Sequence, residues 1–253
     1  MSLKKIVLYV SLFLFLCSFM IVGILFAWNR YEYHKYAPIR ILNSVVEVEN
    51  SSGIIVYANK DITLVLTAFH VVQFGTDPIT ISVLYLGEDG IYTFDTFPVL
   101  DIEIDTENDL ALLSISPIKG IKFVKIVKED EEPITGEDIY LGANPNLKFR
   151  SIKKGIISSK FRFINSRATV TWEVSGEVIY GSSGGGAFTK DGKLFGTIIS
   201  VDVLKTDFCL DKNKKQKCLS IPITDTGFIA PPETVRSFIL NSSFGFHFDY
   251  LRE

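Results

Sequence analysis

Gly181-Ser182-Ser183-Gly184-Gly185-Gly186 sets a serine between glycines. Glycine lets the backbone take conformations that bulkier residues resist, so a substrate carbonyl can come close to the Ser183 hydroxyl. The same freedom lets backbone N–H groups turn inward, and the amides of Gly181 and Ser183 are the candidate donors of an oxyanion hole. A serine hydroxyl is a weak nucleophile unless a base stands beside it. Without that base the stretch reads as a flexible Gly/Ser loop.

Two upstream stretches supply candidate partners. Leu64-Val65-Leu66-Thr67-Ala68-Phe69-His70-Val71-Val72 is an apolar, β-branched run that delivers a histidine. In Asn108-Asp109-Leu110-Ala111-Leu112-Leu113 an aspartate opens a second apolar run. The chain has 3 histidines, and His34 and His247 lie towards its ends, so His70 alone sits in prospective core. Taken singly, His70 reads as a satisfied core residue and Asp109 as a turn residue. Together they stand in the order His…Asp…Ser, one of the convergent arrangements of the catalytic triad.

These stretches resemble the trypsin-like (chymotrypsin-fold) serine proteases, in particular their HtrA-type branch. Ser51-Ser52-Gly53-Ile54-Ile55 and Leu66-Thr67-Ala68-Phe69-His70 are similar to that branch's glycine-then-histidine opening. Asn108-Asp109-Leu110-Ala111 is similar to its aspartate box, and Gly181-Ser182-Ser183-Gly184-Gly185 to its nucleophile box. The likeness runs from about Ile41 to Leu240. Phe69 stands where the family has a small residue, and Gly186 where a proline is common.

The resemblance implies an all-β fold of two antiparallel β-barrels. The first would run over 41–119 with His70 and Asp109, the second over 126–240 with Ser183. It implies a serine endopeptidase in which Ser183 attacks the peptide carbonyl, His70 moves the proton and Asp109 orients the ring. A protein or peptide substrate would add as a strand to Ile199-Ser200-Val201. Glu177 and Asp202 fall where the family builds its specificity pocket, and a basic or a small aliphatic preference is equally compatible. No metal and no organic cofactor is implied, and no peptide-binding module follows.

Gly-x-Ser-x-Gly is also the nucleophile elbow of α/β-hydrolases, whose partners follow the serine, with His247 as the base. That elbow must enter a helix, whereas Gly184-Gly185-Gly186 disfavours helix and Asp191-Gly192 signals a turn. Two non-enzymatic alternatives stand beside the protease. One is a membrane-anchored pseudo-protease that holds extended peptides without cutting them, with Phe69 as its support. The other is a purely structural β-domain.

Ile6 to Trp28 carries no charged residue and is flanked by Lys4, Lys5 and Arg30. At a rise of ~1.5 Å per residue such a span crosses a hydrocarbon core of ~30 Å. A cleaved signal peptide has a shorter apolar region and a small-x-small site, which Leu25-Phe26-Ala27 matches poorly. The expectation is a signal anchor over 6–28 after a short tail (1–5), followed by a juxtamembrane linker (29–40). Lys4 and Lys5 favour an inside amino terminus, opposed by Arg30, Lys35 and Arg40. By analogy with anchored proteases, the domain is expected outside the cytoplasm on a single-pass membrane protein.

The formal net charge is −3, without a long basic stripe, so nothing points to nucleic acid. Runs such as 79–85, 169–174 and 194–201 are rich in Val, Ile, Thr and aromatics between turn signals, the pattern of many short strands. Glu129-Asp130-Glu131-Glu132 reads as a solvated linker between the two halves. Pro231–Leu240 reads as a short closing helix with prolines at its start, and 241–253 as a tail. Cys209 and Cys218 flank a lysine-rich segment that suits a surface loop closed by a disulfide in an oxidising compartment. Two unpaired thiols are the alternative, and oligomeric state is not legible.

Overall fold

The structure, a computed structural model, describes residues 15–16, 18–25, 28, 35–73, 75, 77–86, 92–145, 150–163, 170–212 and 215–252. Within these, the side chains of 86, 162–163, 202–212 and 215–224 are outside the description. The chain divides into two compact units, Met1–Ala37 and Pro38–Glu253.

In the first unit residues 18–25 are helical, and Phe19, Met20, Ile21, Val22, Ile24 and Leu25 are all exposed. Among the described residues no helix is long and apolar enough to cross a membrane. Much of the expected span (residues 6–14, 17, 26 and 27) lies outside the described residues.

In the second unit α1 (Ala37–Ser44, its first residue the last of the first unit) buries Ile41 fully. Seven strands follow: β1 (Val45–Val48), β2 (Ser51–Ala58), β3 (Thr63–Ala68), β4 (Thr80–Leu86), β5 (Tyr92–Pro98), β6 (Asp101–Asp105) and β7 (Leu110–Ile115). A short helix α2 (Phe69–Gln73) leaves β3 directly. The strands form one antiparallel sheet in the order β5-β4-β1-β2-β3-β7-β6. β3 and β7, mostly apolar in sequence, are buried at every position and lie inside the sheet. β5 alternates between exposed and half-buried residues, the signature of a margin with one wet face.

β8 (Asp138–Ala143), β9 (Ser151–Phe163), β10 (Val170–Ser175), β11 (Gly186–Phe188), β12 (Leu194–Lys212) and β13 (Lys215–Ala230) close a barrel in the order β10-β13-β12-β11-β8-β9. Its interior holds Ile139, Leu141, Ile157, Trp172, Val174 and Phe195. α3 (Pro232–Asn241) then packs Val235 and Ile239 into the core of the first sheet. Pro232 stands in its first turn, where a missing N–H has no intrahelical partner to lose.

Three expectations need correction. Among the described residues the first half is a half-barrel rather than a closed one: β5 and β6 are the outer strands of an open sheet. Tyr92, Phe94, Leu100, Ile102 and Ile104 on and between these margins are exposed, so this stretch turns too few apolar side chains inward to seal a barrel. The acidic run does lie between the two halves with Glu129 and Asp130 exposed, but its end is tied down rather than solvated. Glu129–Glu131 forms a 3-10 turn, Glu131 is bonded by Lys193, and Glu132 accepts Arg236 Nη2 at 2.5 Å. Most of the segment between Cys209 and Cys218 is strand rather than loop: β12 runs to Lys212 and β13 starts at Lys215, the two paired as a ribbon, with residues 213–214 outside the described residues.

Candidate active site

Strand register brings His70 to Asp109. β3 runs antiparallel to β7 with Ala68 opposite Leu110, so the residues leaving β3 meet those entering β7. The Phe69 N–H accordingly donates to the Asp109 carbonyl at 3.0 Å. Asp109 has φ +59, a left-handed conformation that aspartate tolerates better than most residues. Its side chain is 2% exposed and faces the start of α2. There Oδ1 accepts the His70 backbone N–H at 2.9 Å, and Oδ2 lies 2.8 Å from His70 Nδ1. One carboxylate therefore satisfies an orphan amide of a helix start and orients the ring that the helix carries. Phe69 is half-buried against the first core and leaves this contact intact.

The Ser183 loop is clasped against the strand that delivers His70. Gly184 has φ +79, and a Cβ there would lie 2.1 Å from both the Ser52 carbonyl oxygen and Thr67 Oγ1, and 3.1 Å from Ala68 N. Only a residue without a side chain lets the nucleophile loop approach the end of β3 this closely. The Ser52 N–H donates to the Ser183 carbonyl at 3.0 Å.

Backbone amides in the loop alternate in use. Ser182 N–H donates to Ile179 O at 2.9 Å, Gly184 N–H to Ile198 O at 2.8 Å, and Gly185 N–H to Ser182 O at 2.8 Å. Among the described residues the Gly181 and Ser183 amides donate to no protein group. Two unengaged N–H groups flanking a serine are what an oxyanion hole requires. The Ser183 hydroxyl is not hydrogen-bonded to the His70 ring among the described residues. Such contacts are commonly long without substrate and tighten on binding.

Beyond Ile198, the β12 edge that faces β11 has no strand partner among the described residues, while the other edge pairs Ser200 with Phe228 and Val201 with Gly227. Ile199 is buried and Ser200 and Val201 are half-buried. Glu177 is exposed and bonded by Lys153 Nζ at 2.6 Å rather than enclosed in a pocket. Its neighbour Val178 is buried against Gly227, where a Cβ would meet Val178 Cγ2 at 2.8 Å. Asp202 is opposite Thr226 in the β12–β13 register, and its side chain lies outside the described residues. Cys209 is opposite Cys218 in the same register, and their side chains also lie outside them.

Sequence reading passed over Ser52 and Asn144. Ser52 is fully buried, its hydroxyl bonded to Gly181 O at 2.6 Å and to the Asn144 N–H at 2.8 Å. The only signal was its place in Ser51-Ser52-Gly53, which shows nothing of its partners.

With this fold and geometry, the chain belongs to the trypsin-like peptidase domain family, whose profile it matches over residues 51–196. The match covers all three boxes. No curated protein matches the chain by sequence. Among solved structures it is similar to the Rv3671c protease in an inactive form, at 18% identity and TM-score 0.56, covering 82% of this chain and 92% of that one. The HtrA-type protease AlgW with a decapeptide is 18% identical, with TM-score 0.61 over 84% of this chain and 68% of that one. The MamO protease domain of Magnetospirillum magneticum, apo form, is 20% identical, with TM-score 0.54 over 78% and 96%. Identities this low carry the fold and nothing finer.

Proposed function

We propose that this protein is a membrane-anchored serine endopeptidase working through His70, Asp109 and Ser183. The observation that carries the reading is the pair of hydrogen bonds by which Asp109 holds His70, beside a serine loop with two unengaged amides. Ser183 Oγ attacks the peptide carbonyl, and His70 Nε2 takes the proton and returns it to the leaving amine. Asp109 holds the imidazole in the tautomer with its proton on Nδ1 and stabilises the imidazolium that forms. The amides of Gly181 and Ser183 receive the oxyanion, and water then releases the acyl group.

The substrate is an extended protein or peptide segment added to the open edge at Ile199–Val201, where main-chain bonds provide affinity. That the HtrA-type protease AlgW was solved with a decapeptide supports a peptide as substrate. Glu177, committed to Lys153, makes a weak basis for a preference for basic side chains. The uncharged run from Ile6 to Trp28 supports an anchor, and a catalytic domain outside the cytoplasm rests on analogy with anchored proteases.

The unmade Ser183–His70 bond favours a second reading, a pseudo-protease that holds extended peptides without cleaving them. Labelling with a fluorophosphonate separates the two, because only an activated serine reacts. The expected result is one label per chain, at Ser183, abolished in Ser183→Ala. A folded wild-type chain that takes no label defeats the enzyme and leaves the peptide binder.

A further inference from the structure

Ser52 pins two carbonyls of the nucleophile loop. Its hydroxyl donates to Gly181 O at 2.6 Å and its backbone N–H to Ser183 O at 3.0 Å. A peptide unit is planar, so fixing a carbonyl fixes the amide on its far side. Holding Gly181 O aims the Ser182 N–H at Ile179, and holding Ser183 O aims the Gly184 N–H at Ile198. The Ser183 amide belongs to the peptide between these two, whose carbonyl is held by Gly185 N–H. Gly181 is at φ +87 without a side chain of its own to resist rotation.

The hydroxyl is itself rooted on both sides. It accepts the Asn144 N–H at 2.8 Å, and Asn144 Nδ2 bonds Glu47 Oε2 at 3.3 Å. The Ser52 carbonyl accepts Thr67 Oγ1 at 2.7 Å, three residues before His70. Ser52 thus ties the first sheet, the end of β8 and the nucleophile loop together at a site closed to water.

We propose that Ser52 is a positioning residue: its hydroxyl fixes the Gly181–Ser182 peptide so that the Gly181 and Ser183 amides converge on one point. The proposal rests on the serine-protease reading. It assigns Ser52 no contact with the substrate. Without the hydroxyl, the Gly181 carbonyl loses its tether and the peptide rotates, so donors are misaimed while the substrate edge at Ile199–Val201 is untouched.

The test is the rate of fluorophosphonate labelling of the full-length chain in detergent, followed against probe concentration. In Ser52→Ala the saturating rate constant is expected to fall on the order of 10- to 10²-fold, as misplaced catalytic groups do, with the half-saturating concentration unchanged. A structural defect alone would lower the labelled fraction and leave the rate constant of the folded molecules intact. Ser52→Cys keeps the size but offers a weak donor, so an intermediate loss is expected. It decides the matter if Ser52→Ala does not fold. Wild-type saturating rates in either folded variant overturn the proposal. A wild-type chain that takes no label overturns the protease reading instead.

Discussion

The Asp109 carboxylate grips His70 twice, Oδ1 on the backbone N–H at 2.9 Å and Oδ2 on ring Nδ1 at 2.8 Å. With Nδ1 as donor, a neutral ring leaves Nε2 free to accept a proton. Side chain and helix start are fixed by one group: turning the ring breaks the Nδ1–Oδ2 contact, while Oδ1 keeps the carboxylate anchored on the backbone. Ser183→Ala, His70→Ala and Asp109→Asn are each expected to lower turnover about 10³-fold or more, and the losses should not add because the residues act as a unit. Peptide hydrolysis by single and double variants checks this; a Ser183→Ala chain cleaving at the wild-type rate removes the assignment.

Gly184 leaves no room for a side chain between the nucleophile loop and the end of β3. Gly184→Ala places a methyl group against the Ser52 carbonyl and Thr67 Oγ1 on a backbone with φ +79. Strain and overpacking together should cost on the order of 2–4 kcal/mol. Denaturant unfolding measures it, and a variant as stable as the wild type would mean that the loop sits away from β3.

His247 gives a pH signature away from the site. Its ring stacks on Tyr57 at 4.4 Å and lies 3.9 Å from the Phe246 ring, and burial pushes its pKa below the ordinary 6.5. The folded state therefore favours the neutral ring. Its stability contribution is complete above pH about 6.5 and is lost as pH falls from there through the folded pKa. Thermal melts should weaken more steeply on acidification in the wild type than in His247→Gln. Parallel slopes would remove His247 as the cause.

Cys209 and Cys218 stand opposite one another across the β12–β13 ribbon. In an oxidising compartment they are expected to be joined, adding about 2–3 kcal/mol by the chain-entropy model. Alkylation of protein from native membranes without reductant, read by mass spectrometry, should leave both thiols unlabelled. Quantitative labelling of both argues against the disulfide and against an extracytoplasmic domain.

The uncharged run from Ile6 to Trp28 predicts that the full chain sediments with membranes and resists carbonate extraction. A chain beginning near Tyr36 should stay in solution. A mature amino terminus near Trp28 would indicate a cleaved signal peptide.

The sequence alone determined what depends on local chemistry. The mostly apolar run Leu64–Ala68 read as prospective core, and it is buried strand throughout. Glycines around Ser183, a histidine in an apolar run and an aspartate before another are scarce combinations, and their order carried the family. Pro231–Leu240 foretold a closing helix because proline at a helix start is a local signal.

Only the tertiary structure decided the rest. The bond between Ser52 and Gly181 spans 129 positions, and that from Arg236 to Glu132 spans 104. Glu177 carries a charge that could have lined a pocket, yet strand placement sets it beside Lys153 in solvent. Whether the first sheet closes depends on how β5 and β6 lie, since each alone is a plausible barrel strand. Hydrogen-bond partners and sheet margins are set by register and packing between distant segments, and no local pattern of side chains specifies which carbonyl a buried serine will meet.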